Sequence, residues 1–294
     1  MPATRFRFRR DKNAVVAFNP ATGTKLRFAA GPYTKARIPE LVDIKITDYC
    51  PFACGFCYQN STVEGQHATL DNMRYLAEQF GHNNVLEVAL GGGEPTDHPH
   101  FIKILETFKR NGVVPNFTTK SMGWVKRNWH LIENTVGAFA YSAEKPSDVE
   151  SAALMFADIP KDRINLHYVM GLDDETGYVA FMRAAHKHGF RVTLLGYKTT
   201  GRGATAPHQE YGWWPDVTTL LIEAGVCPTM SIDTPLAEQF DGIMPVDKRA
   251  YHTREGYVSA YVDAVAMTMG ASSFDPAAHL VPFNQDWVET YKTI

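Results

Sequence analysis

From residue 41 onward the chain repeats one pattern: short apolar segments, several of them alternating with polar residues, separated by helical stretches. Segments 41–47, 84–91, 113–119, 136–142, 164–170 and 191–197 are predicted strands. Helical stretches lie near 66–80, 98–111, 123–133, 147–157 and 175–188. Another follows near 214–225, opened by Trp213-Trp214-Pro215. Strand–helix units in succession build a parallel sheet with helices outside it, and right-handed crossovers curl that sheet in one sense. Six units are too few for a closed eight-stranded barrel.

The strands are polar on one side. In the first, Val42, Ile44 and Ile46 share one face and Asp43, Lys45 and Thr47 the other. The polar faces of later strands carry Asn116, Thr118 and Lys120, then Ser142 and Glu144, then Asn165 and His167, then Arg191 and Thr193. A flat parallel sheet buried on both sides reads as continuous apolar runs instead. The alternation therefore predicts a lumen that holds a charged ligand, although an open sheet with one wetted face would read the same way.

Residues 5–30 alternate around a turn at Asn19-Pro20-Ala21-Thr22-Gly23, which predicts an antiparallel hairpin or meander whose Arg5, Arg7, Arg9 and Arg10 form a solvated face. Three regions result: 1–40 with this small sheet, 41–225 as the core, and 226–294 as a C-terminal extension on the substrate side. In the extension, 228–233 reads as a seventh strand and 256–266 as another strand or hairpin arm, with the tail from Ala277 lying across the barrel.

Composition adds limits. The residues are 45% hydrophobic and 21% charged, as in an ordinary globular protein, and the formal charge of −3 offers no basic field for nucleic acid. No apolar run approaches the ~20 residues of a membrane span. The basic N-terminus is followed by no apolar stretch, so it is not read as a secretory signal. Four cysteines, three of them within eight residues, read as reduced thiols in a cytoplasmic protein rather than as a disulfide framework.

Three of those cysteines, Cys50, Cys54 and Cys57, are spaced C-x3-C-x2-C. Soft thiolates this close suit an iron–sulfur cluster or zinc. Three ligands are one short of closing a [4Fe–4S] cluster, which leaves an open coordination position. A structural zinc site wants a fourth ligand, for which His67 is the nearest candidate.

The triplet, with Phe56 before its last cysteine, resembles the signature of the radical S-adenosylmethionine enzymes. A second motif joins it: the strand Val88-Ala89-Leu90 runs into Gly91-Gly92-Gly93-Glu94-Pro95. The resemblance spans residues 41–200 and implies a partial (β/α)6 TIM-like barrel. It implies that Cys50, Cys54 and Cys57 hold a [4Fe–4S] cluster, while S-adenosylmethionine chelates the open iron through its amino and carboxylate groups. One electron then yields a 5′-deoxyadenosyl radical that abstracts hydrogen from a substrate. Gly92, Gly93, Glu94 and Pro95 match the turn that binds the amino group in that family. Ser142 and Glu144 stand where relatives meet the ribose or carboxylate, and Leu195 and Tyr197 where they meet adenine. Thr118-Thr119-Lys120 departs from the Thr-Asn-Gly often found there.

The implied electron donor is a flavodoxin or ferredoxin. A peptide or protein is the favoured substrate. A nucleoside or small metabolite is the runner-up, with a zinc-binding module or a non-catalytic scaffold as the other classes. Arg202 could fork onto a carboxylate or phosphate, or be solvated. Cys227 reads as a small buried apolar residue, with hydrogen donation to a substrate radical as an alternative. Asp233, His252, Arg254 and Asp263 are candidate substrate contacts.

Overall fold

The computed structural model describes residues 6–31, 34–244, 247 and 252–294, so Arg5 lies outside the described residues. β1 (Arg7–Asp11), β2 (Ala14–Phe18) and β3 (Lys25–Ala29) form an antiparallel meander. The alternating units follow: β4 (Leu41–Thr47), α1 (Leu70–His82), β5 (Glu87–Gly92), α2 (Phe101–Arg110), β6 (Val114–Thr119) and α3 (Met122–Ile132). They continue as β7 (Phe139–Ser142), α4 (Pro146–Met155), β8 (Ile164–Val169), α5 (Glu175–Lys187), β9 (Arg191–Leu195) and α6 (Trp214–Glu223). The last third adds β10 (Met230–Ile232), α7 (Thr234–Gln239), β11 (Ser259–Asp263), β12 (Thr268–Gly270), β13 (Val281–Pro282) and α8 (Trp287–Thr293).

β4 to β9 pair in chain order, all parallel. The last third extends this sheet at both edges. β10 pairs parallel with β9, and β11 pairs parallel with β4 before the antiparallel β12 and β13. The sheet thus holds eight parallel strands, yet β10 and β11 stand at opposite ends of the strand order, so the barrel is partial and open. Val42, Ile44, Ile46, Val88, Leu90, Phe117, Leu166, Val192 and Leu194 are buried against the helices. Each helix answers with its own stripe, such as Met73, Leu76, Ala77 and Phe80 of α1, whose start is capped by Thr69 Oγ1 accepting from Asn72 N at 3.1 Å.

The opposite faces line the lumen. Asp43, Lys45, Thr118, Lys120, Ser142, Glu144, His167 and Thr193 border one cavity of about 570 Å³. Asn116, Asn165 and Arg191 border another of about 490 Å³ toward the N-terminal ends of the strands.

The meander covers that N-terminal end. Val16 and Phe18 are buried with Leu86 and Val114, at the starts of β5 and β6. Its arginines are not a uniformly solvated face. Arg9 donates to the carbonyls of Ile38, Pro39 and Asn84 at 2.8, 3.1 and 3.1 Å, and Arg7 donates to Gly112 O at 2.5 Å. Arg27 pairs with the buried Glu40. Among the described members of the predicted basic group, Arg10 is the one that is exposed and makes no such bond to the barrel. In the tail, Phe283 and Trp287 pack on Phe80 of α1, with ring centroids at 5.8 and 5.2 Å, against the helical side of the barrel.

Candidate active site

The three clustered cysteines sit on the loop between β4 and α1, at the C-terminal end of the parallel strands. That is where βα loops carry chemistry in barrels of this kind. Cys50 N donates to Thr62 O at 2.9 Å, closing the neck of the loop. Inside it, Ala53 takes φ +48°, a left-handed conformation uncommon for alanine, and Cys57 N donates to Cys54 O at 3.2 Å.

Arg202 holds this loop from outside. Its Nε donates to Cys54 O at 2.9 Å, and its Nη1 donates to Ser61 O at 3.0 Å and Asn60 Oδ1 at 3.3 Å. Its backbone N donates to Cys57 O at 3.0 Å. A Cβ on Gly201, which takes φ +55°, would meet Tyr58 O at 2.4 Å, so the two loops touch backbone to backbone there. Arg202 is thus half-buried, and its described partners are neutral carbonyl oxygens rather than a carboxylate or phosphate.

The glycine-rich turn lies against the same loop. Gly93 N donates to Thr47 O at 2.7 Å and Glu94 N to Tyr49 O at 2.8 Å, just ahead of Cys50. A Cβ on Gly93 would lie 2.0 Å from Tyr49 O, so only glycine permits this approach. Glu94 is 2% exposed, and its carboxylate is saturated by donors. Oε1 accepts from Thr96 N, Thr96 Oγ1 and Thr119 Oγ1 at 3.2, 2.6 and 2.6 Å, and Oε2 from Lys120 N at 2.9 Å. Burial raises its pKa and these bonds oppose the rise. The carboxylate therefore ties the β5 turn to the end of β6.

Cys50, Cys54, Cys57, Phe56, Gly92, Gly93, Glu94, Ser142, Glu144, Leu195 and Tyr197 all border the larger cavity. Pro95 does not; it is buried at the start of a single 3-10 turn, Pro95–Asp97. Glu144 is aimed by Asp148, whose carboxylate accepts from Glu144 N at 2.8 Å and Lys145 N at 3.2 Å. Glu144 pairs with Lys120, whose Nζ also lies 3.3 Å from Cys54 Sγ and 5.8 Å from the Phe56 ring centroid. Burial lowers the Lys120 pKa, but Glu144 and Cys54 more than offset this and raise it, so the ammonium stays charged.

On the same cavity, just past the ends of β9 and β10, Lys198 pairs with Asp233 at 2.9 Å, its Nζ over the rings of Tyr58 and Phe274. Asp233 also caps α7 and accepts from Gly196 N at 2.9 Å. Asp43, Glu255 and His167 line this cavity too. Burial pushes Asp43 up to about 6 and Glu255 up to about 7, and it pulls His167 down to about 4. Asp43 is ringed by protein yet open to the water of the lumen.

Of the four proposed substrate contacts, only Asp233 borders the cavity. Asp263 pairs with Lys45 at 2.6 Å and accepts from Val265 N and Ala266 N. Arg254 lies over the Tyr257 ring, and His252 is near Glu40 and Arg27. Cys227 Sγ packs 3.9 Å from Met230 Sδ, away from the lumen. Lys198 and Glu255 were missed in the sequence, for nothing in their neighbours marks them; Asp43, Lys120 and His167 carried a signal in the polar alternation.

The thiols suit a cluster better than a single ion. Among the described residues no three His, Cys, Asp or Glu side chains converge on one ion position. His67 does not turn to the cysteines; its Nδ1 meets Thr47 Oγ1 at 2.8 Å and its ring packs on Tyr49 and His98. Three thiols along one cavity wall fit a cluster in which each thiolate takes a different iron. Burial raises the Cys50 thiol, and charge on Glu94, Cys54 or Cys57 raises it further; a bound cationic centre reverses that balance.

Known proteins place the arrangement. GTP 3',8-cyclase of Pasteurella multocida (strain Pm70) is 29% identical over 85 residues, 28% of this chain and 25% of that protein. PqqA peptide cyclase of Methylorubrum extorquens (strain PA1) is 33% identical over 82 residues, 27% of this chain and 21% of that protein. The chain thus matches a quarter or less of the length of these curated relatives. Streptococcus suis SuiB bound to precursor peptide SuiA superposes with a TM-score of 0.74 at 12% identity, covering 98% of this chain and 87% of that one. Native anSMEcpe with bound AdoMet and Kp18Cys peptide gives 0.61 at 15% identity, covering 85% and 79%. At these identities the structures speak for the fold alone. Among the described residues no helix is long and apolar enough to cross a membrane. The model of the radical SAM superfamily matches residues 44–201, more than half of the 294, and the chain therefore belongs to this family of enzymes, which work with a [4Fe–4S] cluster and S-adenosylmethionine.

Proposed function

We propose that Cys50, Cys54 and Cys57 hold the cluster at the C-terminal mouth of the barrel, and that the enzyme modifies a peptide or protein. The carrying observation is the common border: all three thiols and residues 91–94 line one cavity of about 570 Å³. When bound, the cluster would supply one electron to the sulfonium of S-adenosylmethionine, which breaks the S–C5′ bond into methionine and a 5′-deoxyadenosyl radical. The chain's own residues bind, orient and exclude water. Arg202 and Gly201 fix the cysteine loop. Glu94 fixes the turn at Gly92 and Gly93 that faces the methionine part. Ser142 lines the wall, and Leu195 and Tyr197 border the adenine side. A reduced flavodoxin or ferredoxin supplies the electron. Residues 41–225 form the catalytic core, and 226–294 contribute the substrate side through Asp233 and Glu255.

The peptide reading is supported by the likeness to proteins whose descriptions name peptides: SuiB with SuiA, anSMEcpe with Kp18Cys peptide, and PqqA peptide cyclase. The likeness to GTP 3',8-cyclase keeps a nucleoside or small metabolite as the second reading.

Two measurements test this. Protein reconstituted anaerobically with iron and sulfide should release 5′-deoxyadenosine from S-adenosylmethionine under dithionite, and Cys54→Ala should lose at least 100-fold of that rate, on the order of 3 kcal/mol or more. Wild-type rates in Cys54→Ala would refute the ligand assignment. Mass spectrometry of extract incubated with the reconstituted enzyme should show a mass change in a peptide that requires S-adenosylmethionine. A change confined to nucleosides or metabolites would transfer the conclusion to the second reading.

A further inference from the structure

The side chain that replaces the family's usual residue just past the end of β6 is, among the described residues, the one cation hydrogen-bonded to a cysteine sulfur of the triplet. Lys120 Nζ lies 3.3 Å from Cys54 Sγ, and its partner on the other side is the carboxylate of Glu144. Its stem runs beside Phe56. The backbone is held as firmly as the tip, because Lys120 N donates to the buried Glu94 at 2.9 Å and Ser121 N donates to Thr119 Oγ1 at 2.9 Å. The ammonium is therefore fixed between a thiol and a carboxylate, with about a quarter of its side chain exposed.

We propose that Lys120 sets the reduction potential of the cluster by donating to the Cys54 thiolate, and that Glu144 attenuates this effect. This rests on the cysteine assignment proposed above. Reduction adds one negative charge to the cluster. A cation beside one thiolate favours the state with more negative charge, and a hydrogen bond to ligand sulfur acts in the same direction. A carboxylate beside that cation works against it. The two side chains are thus a matched pair of opposite sign, and their removal should move the potential in opposite directions.

Wild type, Lys120→Met, Lys120→Arg and Glu144→Gln are loaded anaerobically and their iron and sulfide counted. Each is then titrated with dithionite without S-adenosylmethionine, following the electron paramagnetic resonance signal of the reduced cluster. The midpoint should fall in Lys120→Met, stay near wild type in Lys120→Arg and rise in Glu144→Gln. A purely structural role would leave midpoints alone or displace all variants alike. The proposal is overturned if Lys120→Met titrates at or above the wild-type potential, or if it and Glu144→Gln shift the same way. Should Lys120→Met fail to take up iron, Glu144→Gln decides: a rise supports the pairing, and no change or a fall refutes it. A wild type that takes up no cluster would instead overturn the cysteine assignment, which the iron count reveals before any titration.

Discussion

Spacing groups Cys50, Cys54 and Cys57, which border one cavity in the fold, but it does not show what holds their loop in shape. Cys50, Cys54, Cys57 and the run from Gly91 to Glu94 were legible because a short motif carries its own geometry. Arg202 was not, because its partners are carbonyls of Cys54 and Ser61, more than 140 positions earlier, and backbone acceptors leave no mark in a sequence. Glu94 was legible as a site residue, yet its carboxylate turns to Thr96, Thr119 and the Lys120 amide. Arg202→Ala should cost on the order of 2–4 kcal/mol, since three hydrogen bonds from a charged donor are lost, two of them to part-buried carbonyls. Arg202→Lys should recover little, because an ammonium cannot span both carbonyls as a planar fork does. Melting temperature and iron content after reconstitution check both variants. Wild-type values for both measures in Arg202→Ala would show that the loop holds itself.

At the scale of elements, the short apolar segments, several of them alternating with polar residues, located the core strands, because one face of each meets helices and the other the lumen. β4, from Leu41 to Thr47, matches its expected limits, and β8 and β9 start where expected at Ile164 and Arg191. The additions at the sheet edges were harder to read. β12 and β13 have three and two residues, too short for any period, and β11 joins β4 across more than 200 positions. What secures that edge is α8, whose Trp287 is 1% exposed and packs at 5.2 Å on Phe80 of α1 and at 5.7 Å on Phe283. Trp287→Ala should therefore destabilise the chain by about 3–5 kcal/mol. Urea unfolding of wild type and variant measures this. A loss below about 1 kcal/mol would mean that the surroundings collapse into the space, or that the tail contributes little to the sheet.

Across the whole molecule, the lumen is closed below by the meander and open above at the cysteines, and its lining is charged. Alternation foretold a polar lumen, but not how its charges would pair. Among the described residues Lys198 pairs with Asp233, while Asp43 and Glu255 border the cavity and are raised to about 6 and about 7, chiefly by burial and against the pull of Lys198. In the unfolded chain these groups titrate near ~4, so over the interval between the native fold retains protons that the unfolded chain has released. Each carboxyl then contributes stability that is full below pH ~4 and is lost as pH rises through its native value. His167, lowered to about 4, acts in the opposite sense: its contribution is present above ~6.5 and is lost as pH falls through 4. Glu255→Gln removes one charge that must be buried at high pH and nothing that is charged at low pH. The variant should melt on the order of 2–4 °C above wild type at pH 8, with the gain shrinking as pH falls and vanishing only toward pH ~4. His167→Gln should show the reverse tilt, gaining on wild type as pH falls from 7 to 4.5. Thermal scans at half-unit pH intervals distinguish the two. Parallel curves for Glu255→Gln and wild type would mean that the Glu255 carboxyl is as well solvated in the fold as in the unfolded chain, and that the lumen imposes no cost on its charge.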